Sequence, residues 1–242
     1  MPAVLNIAAY RFVPIADGAA VCHALRERAE AAGLKGTVLV APEGINIVLA
    51  GAPPAVRGWL AALREDKRFS AIEARESVSD SVPLRRLRVK LKREIIRMNQ
   101  PQLQPAAGRA PAVQAAALAR WLRQGHCDAG RPLLMLDTRN GFEVDAGAFE
   151  GALDWRLQRF SDFSAALDAH RAELAGKTVV TYCTGGIRCE KAALLMHERG
   201  LADVLQLDGG ILGYFEGTPD APFWRGQCFV FDERIALNPR PR

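Results

Sequence analysis

The 242-residue chain lacks the features that mark several large classes of protein. It contains no run of about 18 uninterrupted apolar residues, so the sequence predicts no membrane-spanning helix. Its first residues do not combine a basic stretch with a long apolar one, and we expect no secretory signal. Five cysteines at irregular spacing predict reduced thiols rather than a disulfide framework. We therefore expect a cytoplasmic protein without a membrane partner.

Motifs for resident metals and nucleotides are missing as well. The four histidines show neither HxH nor HxxxH spacing, and the cysteines form no CxxC pair, so no dedicated zinc or iron site is expected. Neither GxGxxG nor GxxxxGK[ST] occurs, and flavin or nucleotide binding through those loops is not indicated. The residues thus predict no cofactor and no metal, and they identify no protein partner.

What is present is the composition of an ordinary globular chain, at 49% hydrophobic and 24% charged residues. Lysine and arginine outnumber aspartate and glutamate by 32 to 27. The excess lies in residues 1–100, with 16 basic and 10 acidic side chains, whereas residues 101–242 carry 16 and 17. A basic front half indicates either a polyanion-binding module or a solubilising surface, and charge alone favours the second.

The first hundred residues show the pattern β-α-β-β-α-β, which is typical of a ferredoxin-like α+β domain. Asp17 is predicted to cap the first helix with its side chain, and the pair Pro53-Pro54 is predicted to open the second. Helical spacing predicts that the second helix buries one apolar face, formed by Val56, Trp59, Leu60 and Leu63. We assign this domain to residues 1–98.

An extended segment over residues 84–98 closes the domain. Apolar and basic residues alternate along it, which places them on opposite faces of a strand. The apolar face holds Leu87, Val89 and Leu91. The basic face holds Arg86, Arg88, Lys90 and Lys92. Because a row of cations neutralises phosphates, this basic face is the candidate nucleic-acid-binding surface, and a plain solvated strand face is the alternative.

Prolines punctuate a linker over residues 99–108. A second domain, residues 109–218, then alternates short apolar runs with helical patterns, which predicts a parallel α/β sheet with helices on both faces. We expect strands at residues 133–136, 178–182 and 204–207, a helix at residues 112–123, and a C-terminal tail at residues 219–242. Ligand sites in such sheets lie beyond the carboxyl ends of the strands.

Cys183 stands at such a strand end. The loop that follows it consists of Thr184, Gly185, Gly186 and Ile187. The two glycines permit a tight curl, and a helix is predicted to begin near Arg188. Backbone N–H groups, the helix N-terminus and the Arg188 charge then all favour the thiolate of Cys183. The pattern Cys-x4-Arg predicts a reactive thiol rather than an inert buried one, and it is one residue shorter than the phosphatase loop Cys-x5-Arg.

Three more residues are candidates for supporting this loop. Cys189 is either a resolving thiol for an oxidised Cys183 or a small residue that packs the first helical turn. We favour the second interpretation, because a disulfide needs two Cα atoms within about 7 Å. Asp137 and Arg139 follow a buried strand at the same predicted edge. They either contact the substrate or, as we favour, bind neighbouring loops.

The order of motifs in the second domain resembles that of rhodanese domains. Beside the Cys-x4-Arg loop it has Leu-Asp-Thr-Arg at residues 136–139 with Glu143 further on, Gly-Ala-Leu at 151–153, and Leu-Asp-Gly-Gly-Ile at 207–211. The longer string CTGGIRCEK at residues 183–191 is similar to that of the rhodanese-domain tRNA uridine hydroxylases. So are APEGIN at 41–46, LRVKLK at 87–92, EII at 94–96 and GQCFVFD at 226–232.

This resemblance, which covers nearly the whole chain, implies a particular activity. Members of the family make 5-hydroxyuridine at the wobble position of tRNA with O2 as co-substrate, and their loop cysteine is essential. That role falls on Cys183, with Arg188 beside it, and tRNA is the implied partner. Longer members continue past the Phe-Val-Phe-Asp segment into a cysteine-containing tail, whereas this sequence ends at Arg242. The alternative function is a sulfurtransferase that carries a persulfide on Cys183.

Overall fold

The computed structural model describes residues 3–239. It divides the chain between Arg97 and Met98 into two compact units, each with its own sheet and its own hydrophobic core. No helix in the described part of the chain is both long enough and apolar enough to cross a bilayer.

The first unit is a five-stranded sheet with two helices packed on one face. Its strands are β1 (Val4–Phe12), β2 (Lys35–Ala41), β3 (Gly44–Gly51), β4 (Ala74–Ser79) and β5 (Leu87–Leu91), and its helices are α1 (Gly18–Ala31) and α2 (Pro53–Arg64). The strand order is β4-β1-β3-β2-β5, and all pairs are antiparallel except β2 with the edge strand β5. The predicted ferredoxin-like class is confirmed, with β5 as an additional strand.

Helical spacing correctly predicts the buried face of α2, whose four apolar residues pack in the core of the unit. The prediction for Asp17 is only half right. It precedes α1, but its side chain forms no capping hydrogen bond. Instead its carboxylate pairs with Arg68, which also binds Asp66 at 2.7 Å. A cation from the turn after α2 therefore competes successfully with the helix N–H groups.

The second unit is built on a parallel five-stranded sheet. Its strands are β6 (Ala112–Val113), β7 (Leu133–Asp137), β9 (Leu153–Asp154), β10 (Thr178–Tyr182) and β11 (Val204–Leu207), in the order β6-β11-β10-β7-β9. Its helices are α3 (Ala115–Gln124), α4 (Gly141–Val144), α5 (Phe163–His170), α6 (Ile187–Glu198) and α7 (Gly210–Gly217). Single 3₁₀ turns lie at Phe160–Asp162 and Arg171–Leu174. This confirms the predicted parallel α/β class.

The single helix predicted over residues 112–123 is wrong at its start. Ala112–Val113 forms the edge strand β6 beside β11, and α3 begins only at Ala115. Val113 is buried in the same core as Leu207, and its carbonyl accepts a hydrogen bond from the N–H of Asp208. This pairing joins residues far apart in the chain, so local periodicity could not reveal it.

Part of the segment predicted as a tail belongs to the second unit. Strand β12 (Trp224–Gly226) pairs with β8 (Gly147–Phe149), and β13 (Cys228–Phe229) pairs with β14 (Ala236–Leu237). The Trp224 ring packs edge-on against Phe149 at 5.2 Å between centroids, and both lie in the core. The buried aromatic contact explains why the segment folds onto the unit. Residues 240–242 of the predicted tail lie outside the described residues.

Candidate active site

Strand β10 brings Cys183 to the carboxyl end of the parallel sheet. All five residues of β10 are buried, as expected of a central strand covered on both faces. Thr138, which follows β7, binds the carbonyl oxygen of Tyr182 with both its backbone N–H, at 3.0 Å, and its hydroxyl, at 2.9 Å. The residue immediately before Cys183 is therefore fixed both by the sheet and by the adjacent loop.

The loop after Cys183 curls around the sulfur. Gly186 has a φ of 103°, a left-handed conformation that favours glycine. Its backbone N–H donates to the Sγ of Cys183 at 3.2 Å. Helix α6 begins at the next residue, Ile187, so the positive end of its dipole lies at the loop. Thr184 and Gly185 form the outer part of the curl, and the space beside Gly185 is open.

Gly210 at the start of α7 supports this loop from behind. Its φ is 63°, and a Cβ there would lie 2.3 Å from the carbonyl oxygen of Cys183. This close approach lets Ile211 and Leu212 donate their N–H groups to the carbonyls of Cys183 and Thr184 at 2.9 and 3.0 Å. The Asp-Gly-Gly motif before α7 thus has a steric reason: only glycine fits against the Cys183 loop.

The guanidinium of Arg188 forms a two-pronged ion pair with Glu143, at 2.5 and 2.8 Å. The two side chains are 7% and 0% exposed. In the sequence, Glu143 stands out only as part of the resemblance to rhodanese domains, which assigns it no role. The N–H of Asn140 donates to Glu143 at 3.1 Å, which fixes the carboxylate in the first turn of α4. That Asn-x-x-Glu spacing signals a helix start, but it does not reveal the partner across the loop.

Two sulfur atoms meet inside the loop. The Sγ of Cys189 lies 3.2 Å from the Sγ of Cys183, and both residues are fully buried. The sequence favoured a packing role for Cys189, because a disulfide with Cys183 would need the two Cα atoms within about 7 Å. The turn at Gly186 brings the third residue of α6 back onto the sulfur. The five cysteines are all free thiols.

The pKa values of the two thiols are shifted in opposite directions. Burial favours the neutral form of Cys183, but the hydrogen bond from Cys189, the charge of Arg188 and the N–H groups of both residues outweigh it and lower the pKa of Cys183. For Cys189, burial and the neighbouring Cys183 sulfur both raise the pKa. The loop therefore holds one thiolate in contact with one thiol.

Cys183 should consequently react with an alkylating agent at pH values where an ordinary cysteine does not. Its pKa is lowered to about 5, against about 8.5 for a free thiol. Since only the thiolate reacts, the rate should rise with pH through the lowered pKa and be level at neutral pH. The measurement is the iodoacetamide labelling rate of the peptide carrying Cys183 from pH 4 to 10. A midpoint at or above 8.5 contradicts this assignment.

Asp137 and Arg139 form a fully buried pair with 2.6 Å between their charged groups. Arg139 also donates to the carbonyl oxygens of Glu143, at 3.2 Å, and Gly147, at 2.7 Å. These contacts tie the end of β7 to α4 and β8. The pair thus lies where it positions the helix that carries Glu143.

The remaining candidates lie in the first unit. Arg86, Arg88, Lys90 and Lys92 are all exposed, on or beside the edge strand β5. Among the described residues, none of the four forms an ion pair. On the other face Val89 is buried and Leu87 half-buried, but Leu91 is 54% exposed, so the predicted apolar face of the strand is incomplete at its end.

The parallel sheet, the central strand ending in a Cys-x4-Arg loop and the helix behind it define the second unit as a rhodanese-like domain. Residues 115–216 match the family model of that description. Residues 4–95 match a second model, described as a UPF0176 acylphosphatase like domain. The predicted combination of a ferredoxin-like and a rhodanese-like domain is thereby confirmed.

Curated relatives match both units together. A protein of Variovorax paradoxus is 61% identical over 99% of this chain and 90% of its own length, and one of Bordetella avium is 59% identical over 98% and 97%. A third, from Cupriavidus taiwanensis, is 56% identical over 98% of this chain and 83% of its own. All three are named tRNA uridine(34) hydroxylase. The chain belongs to the tRNA uridine(34) hydroxylase family.

Proposed function

We propose that this protein hydroxylates uridine 34, the wobble uridine of tRNA, to 5-hydroxyuridine, with O2 as co-substrate and Cys183 as the reactive group. Family membership supports the enzyme class, because the relatives that match nearly the whole chain carry that activity in their names. The observation that supports the site is the fully buried sulfur of Cys183, which accepts the N–H of Gly186 and whose pKa is lowered by the loop that forms a cradle around it.

The residues around this sulfur have different roles. The backbone N–H of Gly186 and the charge of Arg188 stabilise negative charge on Cys183, or on an oxygen atom bound to it. Glu143 holds Arg188 in place through two hydrogen bonds. Because these groups are buried and already oriented, they require little reorganisation when charge develops.

The same cradle would stabilise a persulfide, so the sulfurtransferase alternative must be tested beside the hydroxylase. Purified protein is incubated with unmodified tRNA under air and without O2, and the nucleosides are analysed by mass spectrometry. We expect 5-hydroxyuridine at position 34 under air and none without O2. Absence of the nucleoside under air, together with efficient sulfur transfer from thiosulfate to cyanide, contradicts the proposal and supports the alternative.

We assign the tRNA-binding role to the basic face of β5, formed by Arg86, Arg88, Lys90 and Lys92. Four exposed cations along an edge strand match the repeating charge of a phosphate backbone. Their charges are not neutralised by ion pairs within the described chain, so they are available to phosphates. Binding of this kind is independent of base sequence and weakens as salt concentration rises.

Reversing two of these charges, in Arg86→Glu with Lys90→Glu, should weaken tRNA binding at least about tenfold at moderate salt and flatten its salt dependence. The fold should persist, because both side chains are exposed. Lys67→Glu with Arg28→Glu reverses two exposed charges of the same unit outside β5 and is the matched control. Equal affinity of the two double variants for tRNA, measured by filter binding across salt concentrations, rules out this surface.

A further inference from the structure

Hydroxylation by O2 raises a question of electron supply, which follows from the proposed function and rests on it. One oxygen atom of O2 ends on C5 of the uracil, and the other must be reduced to water. Complete reduction of O2 takes four electrons, of which conversion of C5–H to C5–OH provides two. A donor at the site must provide two more.

Cys183 and Cys189 together form a group that can give two electrons. Their sulfur atoms are in contact at 3.2 Å, and neither side chain is exposed. Oxidation of two thiols to one disulfide releases two electrons and two protons. Packing alone does not require a thiol at position 189, because alanine or serine would also fit the first turn of α6. We call these two residues the thiol pair.

We infer that the thiol pair supplies the two missing electrons and closes to a disulfide in each turnover. Uridine C5–H, O2 and the two thiols give C5–OH, one water and one disulfide. The C5–O bond, the S–S bond and three O–H bonds form, while the C5–H and O–O bonds and the S–H bond of Cys189 break. The proton that Cys183 has released on ionising is taken up by the product hydroxyl. An external dithiol reductant then reopens the disulfide for the next cycle.

The asymmetry of the pair sets the order of events. Uracil C5–H and O2 give a C5 hydroperoxide, in which the C5–H bond is replaced by C5–O and O–H bonds. Cys183, held as thiolate by Gly186 and Arg188, takes the outer OH group of this hydroperoxide, so the O–O bond breaks and Cys183 becomes a sulfenic acid. The alkoxide left on C5 takes up a proton from solvent. The sulfur of Cys189 then attacks the sulfur of Cys183. Its proton joins the departing hydroxide, so water leaves and the disulfide closes.

A single-turnover experiment tests this inference. The intact protein is reduced, freed of reductant without O2, mixed with excess unmodified tRNA and exposed to air. We expect about one 5-hydroxyuridine per protein chain, and further turnovers only after dithiothreitol is added. Trypsin cuts after Arg188, between the two cysteines, so a disulfide joins the peptide of residues 178–188 to that of residues 189–191. This linked peptide should appear in step with product.

Cys189→Ser removes the thiol that would form the disulfide but changes the packing little, because serine is close in size to cysteine and keeps a hydrogen-bond donor toward Cys183. We expect this variant to lose the linked peptide and to accumulate Cys183 sulfenic acid, which dimedone traps after one turnover. Cys127→Ser is the matched control, since Cys127 is buried beside Thr178 at the opposite end of β10. It should behave as wild type.

The outcomes distinguish this inference from the proposed function. Wild-type protein that makes many 5-hydroxyuridines per chain without reductant, or makes product while both thiols stay free, overturns the role of the thiol pair but leaves the hydroxylase intact. A Cys189→Ser variant that forms product without a trapped sulfenic acid does the same. Wild-type protein that makes no product even with dithiothreitol overturns both.

Discussion

Replacement of Cys183 by serine should abolish 5-hydroxyuridine formation. An alcohol in the same cradle stays protonated near neutral pH, so the N–H donors and Arg188 no longer stabilise a reactive anion. The variant should still fold and bind tRNA, because serine differs from cysteine by one smaller side-chain atom and the basic face of β5 is unchanged. The measurement is mass spectrometry of nucleosides after incubation with unmodified tRNA under air, beside a tRNA-binding assay.

Cys127→Ser provides the control for this loss as well, because it removes a buried thiol of the same unit without touching the Cys183 loop. It should retain activity. Substantial 5-hydroxyuridine formation by Cys183→Ser would show that the sulfur is dispensable and that the site lies elsewhere.

Removal of Glu143 should cost both stability and activity. Glu143→Ala leaves the buried guanidinium of Arg188 without its counter-charge, and breaking a buried ion pair in this way destabilises a protein by about 3–5 kcal/mol. Arg188 then also loses the two hydrogen bonds that orient it, so 5-hydroxyuridine formation should fall to background. Urea denaturation gives the free energy of unfolding, and nucleoside analysis gives the activity.

Asp145→Ala is the matched comparison. Asp145 lies two residues further on and also forms a two-pronged pair, with Arg156, but both side chains of that pair are more than half exposed. Solvent and salt screen an exposed pair, so its loss should change stability little and leave activity intact. Equal stability of the Glu143→Ala and Asp145→Ala proteins contradicts the structural role assigned to the Glu143–Arg188 pair.

Much of the fold could be predicted from local patterns in the sequence. The strand predicted at residues 178–182 matches β10, and the buried face of α2 follows from the spacing of its apolar residues. Both predictions succeed because they depend only on residues close together in the chain, whose hydrophobic spacing indicates the element and its buried face. The predicted start of α3 was wrong because strand β6 exists only through its pairing with β11. The predicted capping hydrogen bond of Asp17 was wrong for a similar reason, since its side chain pairs with Arg68, which is distant in sequence.

In the active site, too, local features could be predicted from the sequence and contacts between distant residues could not. The position of Cys183 at a strand end and the curl at Gly186 follow from the glycines and the element order, which are local features. The contact between Cys183 and Cys189 depends on how tightly the loop turns, and six residues of spacing do not specify that. The pair of Arg188 with Glu143 joins two loops whose distance only the folded sheet determines.

The most direct measurement is the nucleoside content of tRNA from cells that lack the gene for this protein and receive it back on a plasmid. Wild-type protein should restore 5-hydroxyuridine at position 34 when the cells grow with O2, and the Cys183→Ser protein, present in equal amount, should not. If wild-type protein restores none of the nucleoside while the purified protein transfers sulfur efficiently, the assignment as a hydroxylase is wrong and the sulfurtransferase alternative holds.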